Sequence, residues 1–236
     1  MNLTFIHHSS FLLETDNCFL LFDYAEGELP ELQAAKPLYI LASHGHHDHF
    51  TEAALHVYPQ ADRTWILSDD IRLSAADRAD RRIFMVSERK SYQIDRLMLA
   101  TFHSTDQGVA FLVQADEKSI FFAGDLNWWH WEGEPDDWNE KMKRDYLTEL
   151  ELIREKTKGY CDLAFLPLDP RQEAACGIGL TAFAERIDCK QIVPMHLWGR
   201  FAEGMRWRVQ AKRENRPGAE RSLEIKGEGQ IWTDLG

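Results

Sequence analysis

The sequence predicts an α/β protein in which two β-sheets carry helices on their outer sides. Three observations lead to that expectation. Up to Ala123 the chain is dominated by short apolar or alternating runs separated by turn residues, the pattern of strands. Beyond Asn139 the period changes to that of an amphipathic helix, and strands then alternate with helices. The composition, 44% hydrophobic and 28% charged over 236 residues, is that of an ordinary globular chain able to bury one sizeable core. One domain over residues 1–236 is expected.

In chain order, Leu3–His7, Phe11–Glu14 and Cys18–Tyr24 are the first strand-like runs, broken by Ser9-Ser10 and by Asp16-Asn17. Pro37–Ser43 is apolar almost throughout, as a strand covered on both faces would be. It leads straight into His44-Gly45-His46-His47-Asp48-His49-Phe50. Thr51 stands before Glu52-Ala53-Ala54-Leu55 as a helix cap would. Thr64–Leu67, Ile83–Val86, Tyr92–Phe102, Gly108–Gln114 and Ser119–Ala123 read as further strands, the last two joined by a turn at 115–118. From Asn139 onward, Met142, Tyr146, Leu150 and Ile153 recur at helical spacing with charged residues between them. Asp162–Leu168 is a strand, and Leu180, Phe183 and Ile187 share one helix face. Gln191–Pro194 is a strand that runs into Met195-His196, Phe201–Glu214 reads as a helix, and Leu223–Thr233 as strand. No repeat, low-complexity stretch or linker interrupts this order.

Charge narrows the function. With 27 basic and 39 acidic side chains the net charge is -12. A field of that sign opposes non-specific nucleic-acid binding, which relies on Lys and Arg at phosphates. No apolar run approaches the roughly 20 residues that span a bilayer. The start, Met1 to His8, lacks the basic and apolar regions of a secretory signal. Cys18, Cys161, Cys176 and Cys189 lie far apart with no C-x-x-C pair, as reduced thiols of a cytoplasmic protein would.

His44, His46, Asp48 and His49 fall within six residues, directly after a buried strand. Imidazole and carboxylate at that density suit zinc or a similar divalent ion, whereas calcium would call for oxygen ligands. A chance His-rich loop is the plain alternative. Against it stand His103, Asp125 and His196, each at the end of an apolar strand, where strands can deliver ligands to one edge of a sheet.

With these residues in view, the sequence resembles the metallo-β-lactamase superfamily. The likeness rests on the H-x-H-x-D-H motif from His44 to His49, on His103, on Ala123-Gly124-Asp125, on His196, and on Asp23 after Phe19–Phe22. The resemblance implies a four-layer αββα sandwich with a dinuclear site at one edge. It implies His44, His46 and His103 around one ion, Asp48, His49 and His196 around a second, and Asp125 bridging them. His46 stands where the oxygen-reducing diiron branch would carry Glu, and Asp125 stands where the antibiotic-degrading members use a non-bridging ligand such as Cys. Both departures argue against those activities. Ile6-His7-His8-Ser9-Ser10-Phe11 is similar to the Gly-His-Ala-Ser-Phe start of the ascorbate-6-phosphate lactonase-like branch, with His7 in place of Gly.

Two divalent ions, zinc first and manganese or iron(II) as alternatives, can share a water, lower its pKa toward about 7 and present hydroxide. Asp48 and Asp125 are then the catalytic carboxylates, with Asp48 placed to relay a proton. Asp23 is expected to orient the histidine loop from behind. His8, Trp129, His130 and Trp131 are the candidate substrate contacts. Plain packing is the competing reading for the tryptophans, and an edge or core histidine for His8. His47, His7 and His56 are expected not to ligate. Arg200, Arg206, Arg208, Lys212, Arg213 and Arg216 form either a solvated helix face or a phosphate patch. The leading function is a two-metal hydrolase of a small ester, lactone or phosphoester, with no nucleic-acid or membrane partner and with pairing of chains left open. A phosphodiesterase or nuclease would need a basic arm. A non-catalytic binding protein would show lost ligands, and all seven positions are filled.

Overall fold

A computed structural model describes residues 1–235, which form two sheets face to face. The first half supplies β1 (Asn2–His7), β2 (Ser10–Glu14), β3 (Phe19–Phe22), β4 (Leu38–Ala42), β5 (Arg63–Ser68) and β6 (Ile83–Val86). With β13 (Ile231–Trp232) they make a seven-stranded sheet in the order β13-β1-β2-β3-β4-β5-β6. The second sheet holds β7 (Ser91–Ile94), β8 (Leu97–His103), β9 (Val109–Ala115), β10 (Lys118–Phe122), β11 (Tyr160–Pro167) and β12 (Asp188–Met195), in the order β12-β11-β10-β9-β8-β7. Both sheets open with antiparallel hairpins and then turn parallel: β3, β4, β5 and β6 in the first, β10, β11 and β12 in the second.

Strands alternate their side chains between faces, and here both faces are apolar. In β3, Leu20 and Phe22 join the core between the sheets, while Phe19 and Leu21 belong to a second cluster on the outer face. That outer face is covered by the short 3-10 helix Glu52–Leu55 and by irregular chain carrying Leu29, Leu32 and Tyr58, whereas α1 (Ala75–Arg78) buries no residue. The second sheet is covered by α2 (Asp136–Thr157) and α3 (Ile178–Ala184). α2 buries Met142, Tyr146, Leu150 and Ile153, opens with Asp136 and Asp137, and ends with Arg154 and Lys156, charges that suit the helix dipole. The Tyr146 hydroxyl donates to the Gly179 carbonyl at 2.9 Å and ties α2 to α3. α4 (Phe201–Arg213) follows the last core strand. The four-layer sandwich is present, with a thin outer layer over the first sheet. Among the described residues, no helix is long and apolar enough to cross a membrane.

Several local expectations need correction. Tyr92–Phe102 is two strands, because Asp95 takes a φ of 50° and turns the chain between Ile94 and Leu97. Thr51 does not cap; its hydroxyl donates to the Ala25 carbonyl instead, and the segment after it is 3-10. The long helix starts at Asp136 rather than Asn139, and only Ile231–Trp232 of the last segment pairs as strand.

The two sheets meet in a cluster of phenylalanines below the strand ends. Phe22 stacks on Phe122 at 4.6 Å and 9°, and Phe165 lies 5.5 Å from both. Phe22 directly precedes Asp23, and Phe122 lies three residues before Asp125, so this packing sets the height of both acids. Phe122→Ala is expected to cost about 3–5 kcal/mol, the usual range for a buried Phe. Urea unfolding of the two proteins measures it, and a loss below about 1 kcal/mol would contradict the assigned core.

Candidate metal centre

Five strand ends converge at one edge of the sandwich. Asp23 follows β3, the 43–49 loop follows β4, Asp125 follows β10, Asp169 follows β11 and His196 follows β12. Neighbouring parallel strands end side by side, and the carboxyl ends of such strands are where open α/β sheets collect binding groups. His8 joins them from the turn between β1 and β2.

Asp125 is the centre of the arrangement. Its Oδ1 lies 3.2 Å from His49 Nε2 and 3.3 Å from His196 Nε2, while its Oδ2 lies 3.5 Å from His44 Nε2. His44 Nε2 is also 3.0 Å from His46 Nδ1. One ligand atom each from His44, His46 and Asp125 falls within a 4.8 Å span, and the same holds for His8, Asp48, His49 and His196 and for Asp23, His44 and His49. His46 is the most exposed of these and approaches Asp106 at 3.9 Å.

Buried carboxylates hold the rings from behind. Asp23, fully buried, accepts the Ser43 N–H at 2.7 Å, the Ser43 hydroxyl at 2.6 Å and His49 Nδ1 at 2.6 Å. Ser43 Oγ also meets His44 Nδ1 at 2.9 Å. Asp169, likewise buried, meets His196 Nδ1 at 3.0 Å and is clamped by Arg171, whose Nε lies 3.0 Å from each oxygen. Trp198 Nε1 lies 3.1 Å from the same His196 nitrogen and could donate to it only if that nitrogen carried no proton. The ionised Asp169 carboxylate favours a proton on Nδ1, so Nε2 of His196, which faces Asp125, is the nitrogen left to ligate a cation. Close backbone approach makes room for the loop. Gly108 has a φ of 69°, and a Cβ there would sit 2.1 Å from the Ser43 carbonyl and 2.5 Å from His44 Cβ.

The electrostatics are those of a cation site. Burial lowers His44 and His8 to about 4, which leaves both rings neutral. Burial would also lower His49 and His196, yet Asp125 pushes both up, helped by Asp23 and Asp169 respectively. Burial alone would raise Asp125 and Asp48. His49 and His196 instead hold Asp125 well below the usual carboxylate range, and His8 and His49 do the same for Asp48. Asp169 is held down to about 2 by His196 and Arg171 despite its burial. A field that stabilises positive charge on buried imidazoles also favours a divalent cation at the same place. Three buried atoms, His8 Nε2, His49 Nε2 and Asp125 Oδ1, have no aligned hydrogen-bond partner although they face one another's groups. Unsatisfied buried nitrogens and oxygens converging on a small volume are the donor set expected around a metal ion.

Not every residue expected at the site is brought to it. His103 belongs to none of the donor groups; its Nδ1 is engaged by Glu88, on the connection between β6 and β7, and its backbone N–H faces Glu149 of α2. A half-exposed imidazole takes the nearest carboxylate, and Glu88 is a neighbour only once the chain has folded. Among the described residues the His130 side chain makes no hydrogen bond; its carbonyl accepts from Gln172 Nε2 at 3.4 Å. The tryptophans divide. Trp128 packs on the main core, whereas Trp129 donates to the Asp125 carbonyl at 3.0 Å and lies 5.5 Å from the His196 ring. Trp131 stacks on Trp129 at 5.8 Å and faces Arg171. Arg208, Lys212 and Arg216 pair with Glu224, Glu220 and Glu214, so the basic stretch is largely a neutralised helix face. Sequence reasoning missed Ser43, Asp106, Asp169, Arg171 and Trp198. Asp169 was findable, because it ends an apolar strand as Asp23 and Asp125 do.

A model of the beta-lactamase superfamily domain matches residues 2–132. Igni18, a metallo hydrolase from the hyperthermophilic archaeon Ignicoccus hospitalis, is similar at 15% identity and a TM-score of 0.67, covering 98% of this chain and 97% of its own. The isothiocyanate hydrolase from Delia radicum gut bacteria is similar at 15% identity and a TM-score of 0.59, covering 100% of both chains. CmlA, a diiron beta-hydroxylase from Streptomyces venezuelae, is similar at 9% identity and a TM-score of 0.66, covering 98% of this chain but 53% of its own. At these identities the likeness is one of fold. No curated protein matches the sequence.

The close approach at Gly108 has a measurable consequence. Gly108→Ala should destabilise the protein by about 1–3 kcal/mol, through left-handed strain and displacement of the Ser43–His44 backbone. Gly227→Ala, where a Cβ meets nothing within 4 Å, should stay within about 0.5 kcal/mol of the parent. Thermal melts of both variants compare the two, and equal stabilities would show that the loop does not depend on this contact.

Proposed function

The chain belongs to the beta-lactamase superfamily, and from that premise we propose that it is a metal-dependent hydrolase of a small ester, lactone or phosphoester. Residues 1–236 would act as one functional unit of the ascorbate-6-phosphate lactonase-like kind. One observation carries it: Asp125 turns Oδ2 toward His44 and Oδ1 toward His49 and His196. A carboxylate so placed can serve two ions. The proposed donors are His44 and His46 for one ion and Asp48, His49 and His196 for the other, with Asp125 shared. Zinc is the proposed metal, and manganese and iron(II) are the alternatives.

Bound there, divalent ions would supply acidified water and Lewis-acid polarisation of a carbonyl or phosphoryl oxygen. The chain's own groups do the rest. Asp48, only partly buried, is the proposed proton acceptor, since its carboxylate stays ionised beside His8. Asp23 and Asp169 fix the ring orientations of His49 and His196. Trp129 and Trp198 flank the His196 ring, with Trp131 stacked on Trp129. A cavity of about 310 Å³ lined by His8, Asp48, Trp198, Phe201 and Glu228 supports a small substrate. A larger cavity of about 860 Å³, between Leu29–Pro37 and Tyr58–Asp62, contains none of the donors. The net charge of -12 and the neutralised face of α4 speak against a nucleic-acid substrate. The buried free thiols accord with a reducing compartment, and the cytoplasm is the proposed location.

A hydrolysis screen over lactones, phosphomonoesters, phosphodiesters and thioesters tests the reading. Activity should vanish in chelator and return with zinc or manganese. Asp125→Ala should lower turnover on the order of 10³-fold while far-UV circular dichroism stays unchanged, a loss of about 4 kcal/mol in transition-state stabilisation. Turnover indifferent to chelator, or efficient cleavage of long RNA, would refute it.

A further inference from the structure

The turn between β1 and β2 places a histidine where the backbone would more easily take glycine or asparagine. His8 has a φ of 45° and is only 7% exposed. Residues held in sparsely populated conformations persist where surrounding structure over-determines them, and they cluster at functional sites. Its carbonyl accepts the His196 N–H at 3.4 Å, which ties the turn to the end of β12. Its ring centroid lies 4.4 Å from that of His196 and 5.4 Å from that of His49. Nε2 is buried without a hydrogen-bond partner, with Asp48 Oδ2 3.4 Å away. A buried ring nitrogen left unpaired among two other imidazoles and a carboxylate has no role in packing alone.

We propose that His8 is a fourth side-chain ligand of the ion at Asp48, His49 and His196, and that this ion is therefore held more tightly than the one at His44 and His46. The donor atoms of all four residues lie within 4.8 Å of one another, and Asp125 borders the group through Oδ1. Among the described residues the other group offers His44, His46 and Asp125, and His46 is partly open to solvent. Sites with fewer protein ligands keep positions for water or substrate, whereas fully ligated sites hold the metal as structure. The two ions thus differ in kind: one anchored by three imidazoles and a carboxylate, the other exchangeable. This rests on the metal-dependent reading above.

Zinc titration against a chromophoric chelator tests it without any assay of turnover. The parent protein should show one tight and one weaker constant. His8→Asn, chosen because Asn tolerates the turn's φ, should weaken the tight constant by at least roughly 100-fold, beyond the roughly 10–100-fold typical of an outer partner. The weaker constant should be nearly unchanged, and melting in chelator checks that the variant folds. Because a variant can fail for other reasons, the parent is also loaded with one equivalent of cobalt(II), and its paramagnetically shifted imidazole resonances are counted. Three rings are expected. Two rings, or an unaltered tight constant in folded His8→Asn, would overturn the His8 assignment and leave the metal reading standing. No stoichiometric zinc on the parent would defeat the metal reading itself.

Discussion

The site depends on one buried carboxylate. Asp23 has no exposed surface and spends its acceptors on the Ser43 N–H, the Ser43 hydroxyl and His49 Nδ1. An ionised group in that position is tolerable only while those bonds are made, since an unpaired buried charge is far costlier than any contact it forms. The histidine loop therefore cannot relax without stranding a charge, and the loop takes its shape from this constraint. Ser43 passes the restraint on to His44, so a single acid behind the loop orients rings in both donor groups.

The same device recurs across the sandwich. Asp169 stands behind His196 as Asp23 stands behind His49, but the two acids come from opposite sheets. Each follows a parallel strand, and each is set in place by packing beneath it. The stacked pair Phe22 and Phe122 couples the sheets directly under Asp23 and the Asp125 turn. Core packing of this density does not deform continuously. The spacing between donors contributed by the two sheets is thus a property of the hydrophobic core as much as of the loops.

Four of the thirteen described non-glycine residues with positive φ meet at this same edge, and the other nine lie elsewhere in the chain. His8, Asp23, His196 and Trp198 all have φ between 42° and 66°, and Gly108 and Gly124 bring β9 and the Asp125 turn against Ser43. Non-glycine residues in this region cost stability. The four at this edge are held there by the rest of the fold, through the two continuous apolar clusters beneath them. Arg171 has a double part, clamping Asp169 while lying 4.2 Å over the Trp198 ring.

Much of this protein was legible before folding. Period and turn residues gave the strand-rich first half, and the apolar run before His44 announced a strand buried on both faces. His44, His46, Asp48, His49, Asp125 and His196 were legible as candidates because each lies in or directly after the end of an apolar strand, and they do meet at one edge. Other features had no local signal. That Tyr92–Phe102 breaks at Asp95 depends on one backbone angle. That Glu88 engages His103, and that His8 lies against His49 and His196, are long-range pairings between segments distant in sequence. The sequence by itself determined which residues carry ligating atoms and which runs form strands, since both follow from side-chain chemistry and short-range periodicity. Only the tertiary structure decided which of those atoms face one another, because that depends on the register of the two sheets and on the buried carboxylates behind the His49 and His196 rings.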